Sequence, residues 1–188
     1  KADGLENVRG EPVTVPRWVR GKESAAMVQP RFHDLPMLGL GGSVGTPVGG
    51  ITAEVLVVTS FNDLKARAAE AQGKIVLFDV QYRGRGASEA ARVGAVASMI
   101  RSVGPVGMRT PHTGAMNYDT TVARIPTFAI TQEDAAMIHR ILNRGDKVVV
   151  KVEMEARTLP DAPSRNVMGE ILGRESPEEI VVIGGHID

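Results

Sequence analysis

Between Ala53 and Ala156 the chain alternates between two kinds of text: short β-branched apolar runs, and capped stretches of helical composition that end in glycine. "EVLVVTS" is a run of the first kind. Ser60, followed three residues later by Asp63, then has the form of a capping box for the helix "NDLKARAAEAQ", which Gly73 ends. "KIVLFDV" is the next buried strand. After the loop "QYRGRGA", Ser88 predicts the N-cap of one long helix, "EAARVGAVASMIRSV", whose alanines and glycines would let it lie close to a sheet. "IPTFAI" is a further strand, and Thr131 with Asp134 opens "QEDAAMIHRILNR" before Gly145. "KVVVKVEMEA" alternates, with Val148, Val150, Val152 and Met154 on one face and Lys151 and Glu153 on the other, wet face. Strand and helix exchanging at this spacing confine the fold to the α/β or α+β class.

The flanks read differently. Up to about Pro47 the text is irregular and interrupted by Pro12, Pro16, Pro30, Pro36 and Pro47, with "PVTVPRW" as an edge strand. "LGLGGSVGTPVGG" is rich in glycine, yet it fits neither phosphate-cradling pattern and reads as a turn-rich connector. "RTLPDAPSR" has two prolines and no period, as a linker would. Beyond it, "RNVMGEILG" and "EIVVIGG", joined by "RESPEE", predict a hairpin-like pair of strands.

At 188 residues with no cysteine, the chain is long enough to bury a core without disulfides. Lys+Arg and Asp+Glu stand at 22 each and are interspersed, which argues against a nucleic-acid partner because phosphate binding needs a concentrated basic surface. No apolar run approaches the roughly 20 residues that span a bilayer, so no membrane partner is expected. The opening "KADGLENVRG" carries no apolar signal-peptide core, and the residues leave localisation open.

The chemistry concentrates at "EEIVVIGGHID". Four apolar residues deliver two glycines, then His186 and Asp188, which share a side if extended geometry persists. A zinc-ligating histidine usually donates its other ring N–H to an oxygen, and a carboxylate two residues on is placed to receive it. On spacing alone the same pair is also an ordinary strand end, since zinc needs three or four ligands and neither HExxH nor CxxC is present. His139 reads as a packed or surface helix residue. His33 in "PRFHDLP" and His112 in "TPHTG" read as loop residues with local hydrogen bonds. No GxSxG anchors Ser/His/Asp catalysis; Ser88, Ser98 and Ser102 read as helix residues, and Glu178-Glu179 as a solvated turn.

Three passages taken together resemble the carboxypeptidase Q (plasma glutamate carboxypeptidase) family of co-catalytic zinc peptidases. They are "VTVPRWVRGKESAAM" with "MLGLGGSVGTPVGGITAEVLVVTSFNDL"; "KIVLFDV" through "ARVGAVASMIRSV", "TPHTG" and "RIPTFAITQEDAAMI"; and "SRNVMGEILG" with "IVVIGGHID". The resemblance implies a protease-associated (PA) type β-sheet or partial barrel with flanking helices, set among strands of a zinc-exopeptidase catalytic domain. Residues 1–45 would be part of that domain or a linker from it, 46–156 the PA-like domain, and 157–188 the returning, truncated catalytic domain.

It also implies two zinc ions per complete site, with His186 the first ligand and Asp188 the carboxylate that orients its ring without ligating. The bridging Asp, the general-base Glu and the other ligands would lie C-terminal to this motif, leaving this chain inactive alone. A short peptide substrate, a homodimer of the full-length protein and a secreted, periplasmic or lysosomal location are further implications. A reading of another class is a stand-alone PA-type protein- or peptide-binding module, in which "HID" merely ends a strand. The reading frame after Asp188 separates the two.

Overall fold

The computed structural model describes residues 4–80 and 84–185. In chain order its elements are β1 (Glu6–Val19), β2 (Glu23–Gln29), β3 (His33–Asp34), β4 (Met37–Gly39), β5 (Ile51–Val58), α1 (Phe61–Ala66), α2 (Ala68–Ala71), β6 (Ile75–Phe78), α3 (Gly86–Arg92), β7 (Ala97–Arg101), β8 (Thr127–Ile130), α4 (Gln132–Asn143), β9 (Val149–Met154) and β10 (Arg157–Glu170). Two compact units result: Trp18–Leu159, and a second built from the two ends of the chain, up to Arg17 and from Pro160 onward.

The larger unit holds one eight-stranded sheet in the order β3-β2-β9-β5-β6-β7-β8-β4. Its middle is parallel, with Val55 opposite Ile75, Ile75 opposite Ala97 and Met99 opposite Phe128. β9 joins β5 antiparallel, and β2 joins β9 in the same sense. Parallel strands are covered on both faces, so apart from Ser98, Thr127 and Arg101 at the strand end, β6 to β8 are apolar, and the two-residue period sorts their residues between two cores. Ile75, Leu77, Met99, Phe128 and Ile130 face α4 through Ala135 and Ile138. Val76, Phe78, Ile100 and Ala129 face Leu64, Ala71, Ala87 and Ala90 of the other three helices. The antiparallel arm is one-sided: Val150, Val152 and Met154 are buried whereas Lys151 and Glu153 are exposed, as the alternation predicts. Ala25, Met27, Val150 and Val152 belong to the same core as Phe128, so the sheet curls until its antiparallel arm closes over the α4 side.

Both predicted capping boxes are present. Ser60 Oγ accepts from the Asp63 N–H at 3.0 Å, and the Asp63 carboxylate accepts in return from the Thr59 N–H at 2.9 Å. Thr131 Oγ1 accepts from the Asp134 N–H at 3.0 Å and donates to the Asp134 carboxylate at 2.7 Å, with both residues buried. Thr131→Ala is expected to cost about 1 kcal/mol in a urea titration. An unchanged midpoint would show that the hydroxyl does not hold the helix start.

Four expectations need correction. The long helix over "EAARVGAVASMIRSV" is two elements: α3 stops at Arg92, Gly94 turns the chain at φ +78°, and "ASMIR" is β7, in the middle of the sheet. A continuous helix would leave β6 and β8 without their shared neighbour. Ser88 is therefore not an N-cap; it lies inside α3, and its hydroxyl accepts from the Asp119 N–H at 2.9 Å. "RTLPDAPSR" is no linker but the first part of β10, which pairs with β1 in a two-stranded ribbon, where prolines are tolerated because one edge of each strand is open. The hairpin of "RNVMGEILG" with "EIVVIGG" is not formed: β10 pairs with β1, and among the described residues 180–185 carry no strand. Finally, the segment up to Pro47 carries β1 to β4. Pro12 and Pro16 lie within β1 of the two-stranded ribbon, and Pro30, Pro36 and Pro47 lie between strands, which hides the pattern.

The glycine-rich connector is explained by close backbone approach. A Cβ on Gly45 would lie 2.6 Å from the Met154 carbonyl oxygen, and one on Gly50, at φ +79°, would lie 2.5 Å from that of Val152. These glycines let the loop lie against β9, with Thr46 N donating to the Met154 carbonyl at 2.9 Å.

Candidate functional site

The pair His186 and Asp188 lies outside the described residues. What is described is the approach to it. Ile180, Val181, Val182 and Ile183 are 85%, 86%, 86% and 92% exposed, and a Cβ added at Gly184 or Gly185 would meet nothing within 4 Å. Four consecutive β-branched residues left in solvent are an unpaired strand sequence, the kind of edge that another strand covers. Amides of Val181–Ile183 are expected to exchange in this chain as fast as in an unstructured peptide. Strong protection there would show that the segment pairs within these 188 residues.

Within the larger unit, charged groups gather at the C-terminal ends of the parallel strands. Asp79, directly after β6, lies between His139 Nδ1 at 3.0 Å and an Arg101 guanidinium nitrogen at 3.3 Å. His139 thus leaves α4 sideways to a specific carboxylate, a partnership invisible to helical periodicity because the two are 60 positions apart. Beside it, a groove of about 360 Å³ is lined by Glu54, Arg67, Glu70, Lys74 and Lys147. Each of these charges already has an ion-pair partner: Arg67 with Glu70, and both lysines with Glu54.

A second cluster surrounds Asp134, whose side chain is only 3% exposed. Arg109 Nη2 donates to its two oxygens at 3.0 and 3.1 Å, and His33 Nε2 stands 3.0 Å from Oδ1. The same Nη2 donates to the Asp34 carbonyl at 3.2 Å. Asp134 is legible in the sequence as a capping residue, but Arg109, half exposed on a loop, gives no signal there. His112 engages through its backbone, with its N–H donating to Ser102 Oγ at 2.8 Å. Ser98, in β7 and not in a helix, donates to Thr127 Oγ1 at 2.8 Å. Glu178 and Glu179 are exposed, in a turn closed by the Glu179 N–H on the Ser176 carbonyl. Glu23, on β2, is pushed above the ordinary carboxyl range by burial, against the lowering effect of the Gly39 N–H it accepts at 3.0 Å.

These groups pair one carboxylate with one histidine and one arginine. Among the described residues no three His, Asp or Glu side chains converge on a point, so these residues do not fit a metal ion. The Asp79 and Asp134 clusters are structural pairings at the C-terminal ends of the parallel strands, and the histidine with a carboxylate two residues on stands apart from them in the chain.

No family model matches the chain. Carboxypeptidase Q of Mus musculus is 53% identical over 99% of this chain and 42% of its own length, and that of Rattus norvegicus 55% identical over 99% and 41%. The chain spans about two-fifths of the length of these curated relatives. Among solved structures, a peptidase M28 precursor from Shewanella amazonensis SB2B is similar at a TM-score of 0.92 and 36% identity, covering 100% of this chain and 46% of its own. An aminopeptidase from Aneurinibacillus sp. strain AM-1 shares the fold at a TM-score of 0.67 and 17% identity, over 93% and 40%.

Proposed function

Because this chain is homologous along its whole length to carboxypeptidase Q, we propose that it is the N-terminal part of a zinc-dependent exopeptidase or dipeptidase acting on short peptides. The observation that carries this is identity of about half over 99% of the chain, together with the match to the M28 precursor structure over its whole length. In this reading residues 46–156 are the body of a PA-type domain that shapes access to the cleft, with β2 to β4 joined to its sheet, and the two ends of the chain are pieces of the catalytic domain. The exposed apolar run Ile180–Ile183 is a strand awaiting the rest of that domain's sheet.

His186 would be the first zinc ligand, and Asp188 would accept its second ring N–H, fixing tautomer and ring orientation. The described residues fit no metal, so any zinc in the complete protein would rest on His186 and on residues beyond this chain. When bound, such an ion supplies a water activated for attack on a peptide carbonyl. A homodimer and a secreted, periplasmic or lysosomal location follow from the same reading. So does the absence of nucleic-acid and membrane partners, in keeping with the balanced charge; no helix among the described residues is long and apolar enough to cross a membrane.

The second reading, a stand-alone PA-type binding module, is favoured by one observation: Trp18–Leu159 has two apolar cores of its own. The experiment compares the product of the full reading frame with the 188-residue chain for zinc content after dialysis and for dipeptide hydrolysis. The full product is expected to hold zinc and to hydrolyse dipeptides until a chelator removes it, while the 188-residue chain does neither. A stop codon directly after Asp188, or tight stoichiometric zinc on the shorter chain, overturns the proposal.

A further inference from the structure

Between β7 and β8 the chain makes a long excursion, and its first part is a closed loop. Ser102 and His112 clasp its neck twice, with the His112 N–H donating to Ser102 Oγ at 2.8 Å and that hydroxyl donating to the His112 carbonyl at 3.3 Å. Every residue from Gly104 to Thr110 is exposed, with Val106 at 70% and Met108 at 72%. Apolar burial therefore does not hold this segment down.

Polar contacts do, and they fall on the first turn of α4 and on β3. Arg109 reaches the buried Asp134 carboxylate, the Asp34 carbonyl and, at 3.1 Å, His33 Nε2. The Gly107 and Arg109 N–H groups both donate to Glu133, and Gln132 donates to the Gly104 carbonyl. The Glu133 carboxyl is held below its ordinary range, first by the Gly107 N–H, as expected if its charged form makes the clasp. Arg109 sits at φ +43°, a left-handed conformation that a non-glycine residue rarely takes without compensating contacts. Gly104 and Gly107, at φ +129° and +111°, flank the tip as flexible points.

We propose that residues 103–111 are a lid that opens and closes as one piece about the Ser102–His112 neck, with Arg109 on Asp134 as its bolt. A segment fastened by a few polar contacts, with no apolar burial of its own, opens at a small fraction of the global unfolding free energy. Opening uncovers His33 and the start of α4 beside the C-terminal ends of β7 and β8, the edge at which parallel sheets receive ligands. The lid is a property of the larger unit and is independent of the peptidase reading.

The test is thermolysin digestion of the 188-residue chain, read as the cleavage rate at Val106 and Met108 over a series of sub-denaturing urea concentrations. Arg109→Ala is expected to raise cleavage about tenfold or more, the scale of losing charge-assisted hydrogen bonds, and in parent and variant alike the rate should depend only weakly on sub-denaturing urea, because a local opening exposes little surface. Arg109→Lys, which keeps the charge on a shorter side chain that lacks the guanidinium's reach, should fall between it and the parent. Glu133→Ala, which breaks the second fastening, should also raise cleavage. Unchanged cleavage in Arg109→Ala and Glu133→Ala overturns the lid. So does cleavage that climbs steeply with sub-denaturing urea, since the sites would then be exposed only by global unfolding.

Discussion

In the protein extended through the rest of its reading frame, His186→Ala is expected to abolish dipeptide hydrolysis and to lower bound zinc, while Asp188→Asn loses roughly 10- to 100-fold in activity or metal affinity. The difference follows from the two proposed roles. Alanine removes a ligand nitrogen from a coordination shell that has few to spare. Asparagine keeps the size of the carboxylate and can still accept one hydrogen bond, but it no longer holds a negative charge against the ring N–H. The measurements are zinc per protein after dialysis and initial rates on a dipeptide, for parent and both variants. A folded, metal-replete His186→Ala protein with full activity would sink the assignment.

Phe128→Ala should destabilise the larger unit by about 3–5 kcal/mol, a large share of the roughly 5–15 kcal/mol that holds a typical domain folded. Phe128 is fully buried in β8, with β7 on one side and β4 on the other, paired with Met99 and Gly39. It shares its core with Ile130, Ile138 and the antiparallel arm, so the void would open where several elements meet. Phe32→Ala is the internal control: at 70% exposure it should move the midpoint by no more than about 0.5 kcal/mol. A Phe128→Ala loss below about 1 kcal/mol would mean that β4 and α4 collapse into the space.

Much of the larger unit was legible because its signals are local. Ser60 and Thr131 announce helix starts through hydrogen bonds spanning three residues, and the alternation at Val148–Met154 reads directly as one wet and one dry face. β7 was misread because small residues suit both a helix and a strand packed between neighbours. Gly94 permits either a helical interior at some cost or a stop, and only β6 and β8 on either side decide for the stop. β10 was misread for the converse reason: prolines argue against a strand unless its open edges make them harmless, and its partner β1 is far away in sequence.

The candidate chemistry divides in the same way. "GGHID" is a continuous motif, so sequence alone places a histidine and a carboxylate together after an apolar run. Homology over the full chain is likewise a property of the one-dimensional text. Tertiary structure alone brought Arg109 and His33 onto Asp134, and Arg101 and His139 onto Asp79. It also showed that Ile180–Ile183 have no cover among the described residues and that Gly45 and Gly50 press against β9. The physical reason is range: capping and alternation act within a few residues and leave a periodic mark, whereas an ion pair or a backbone contact between distant segments is set by sheet order, which no local pattern encodes.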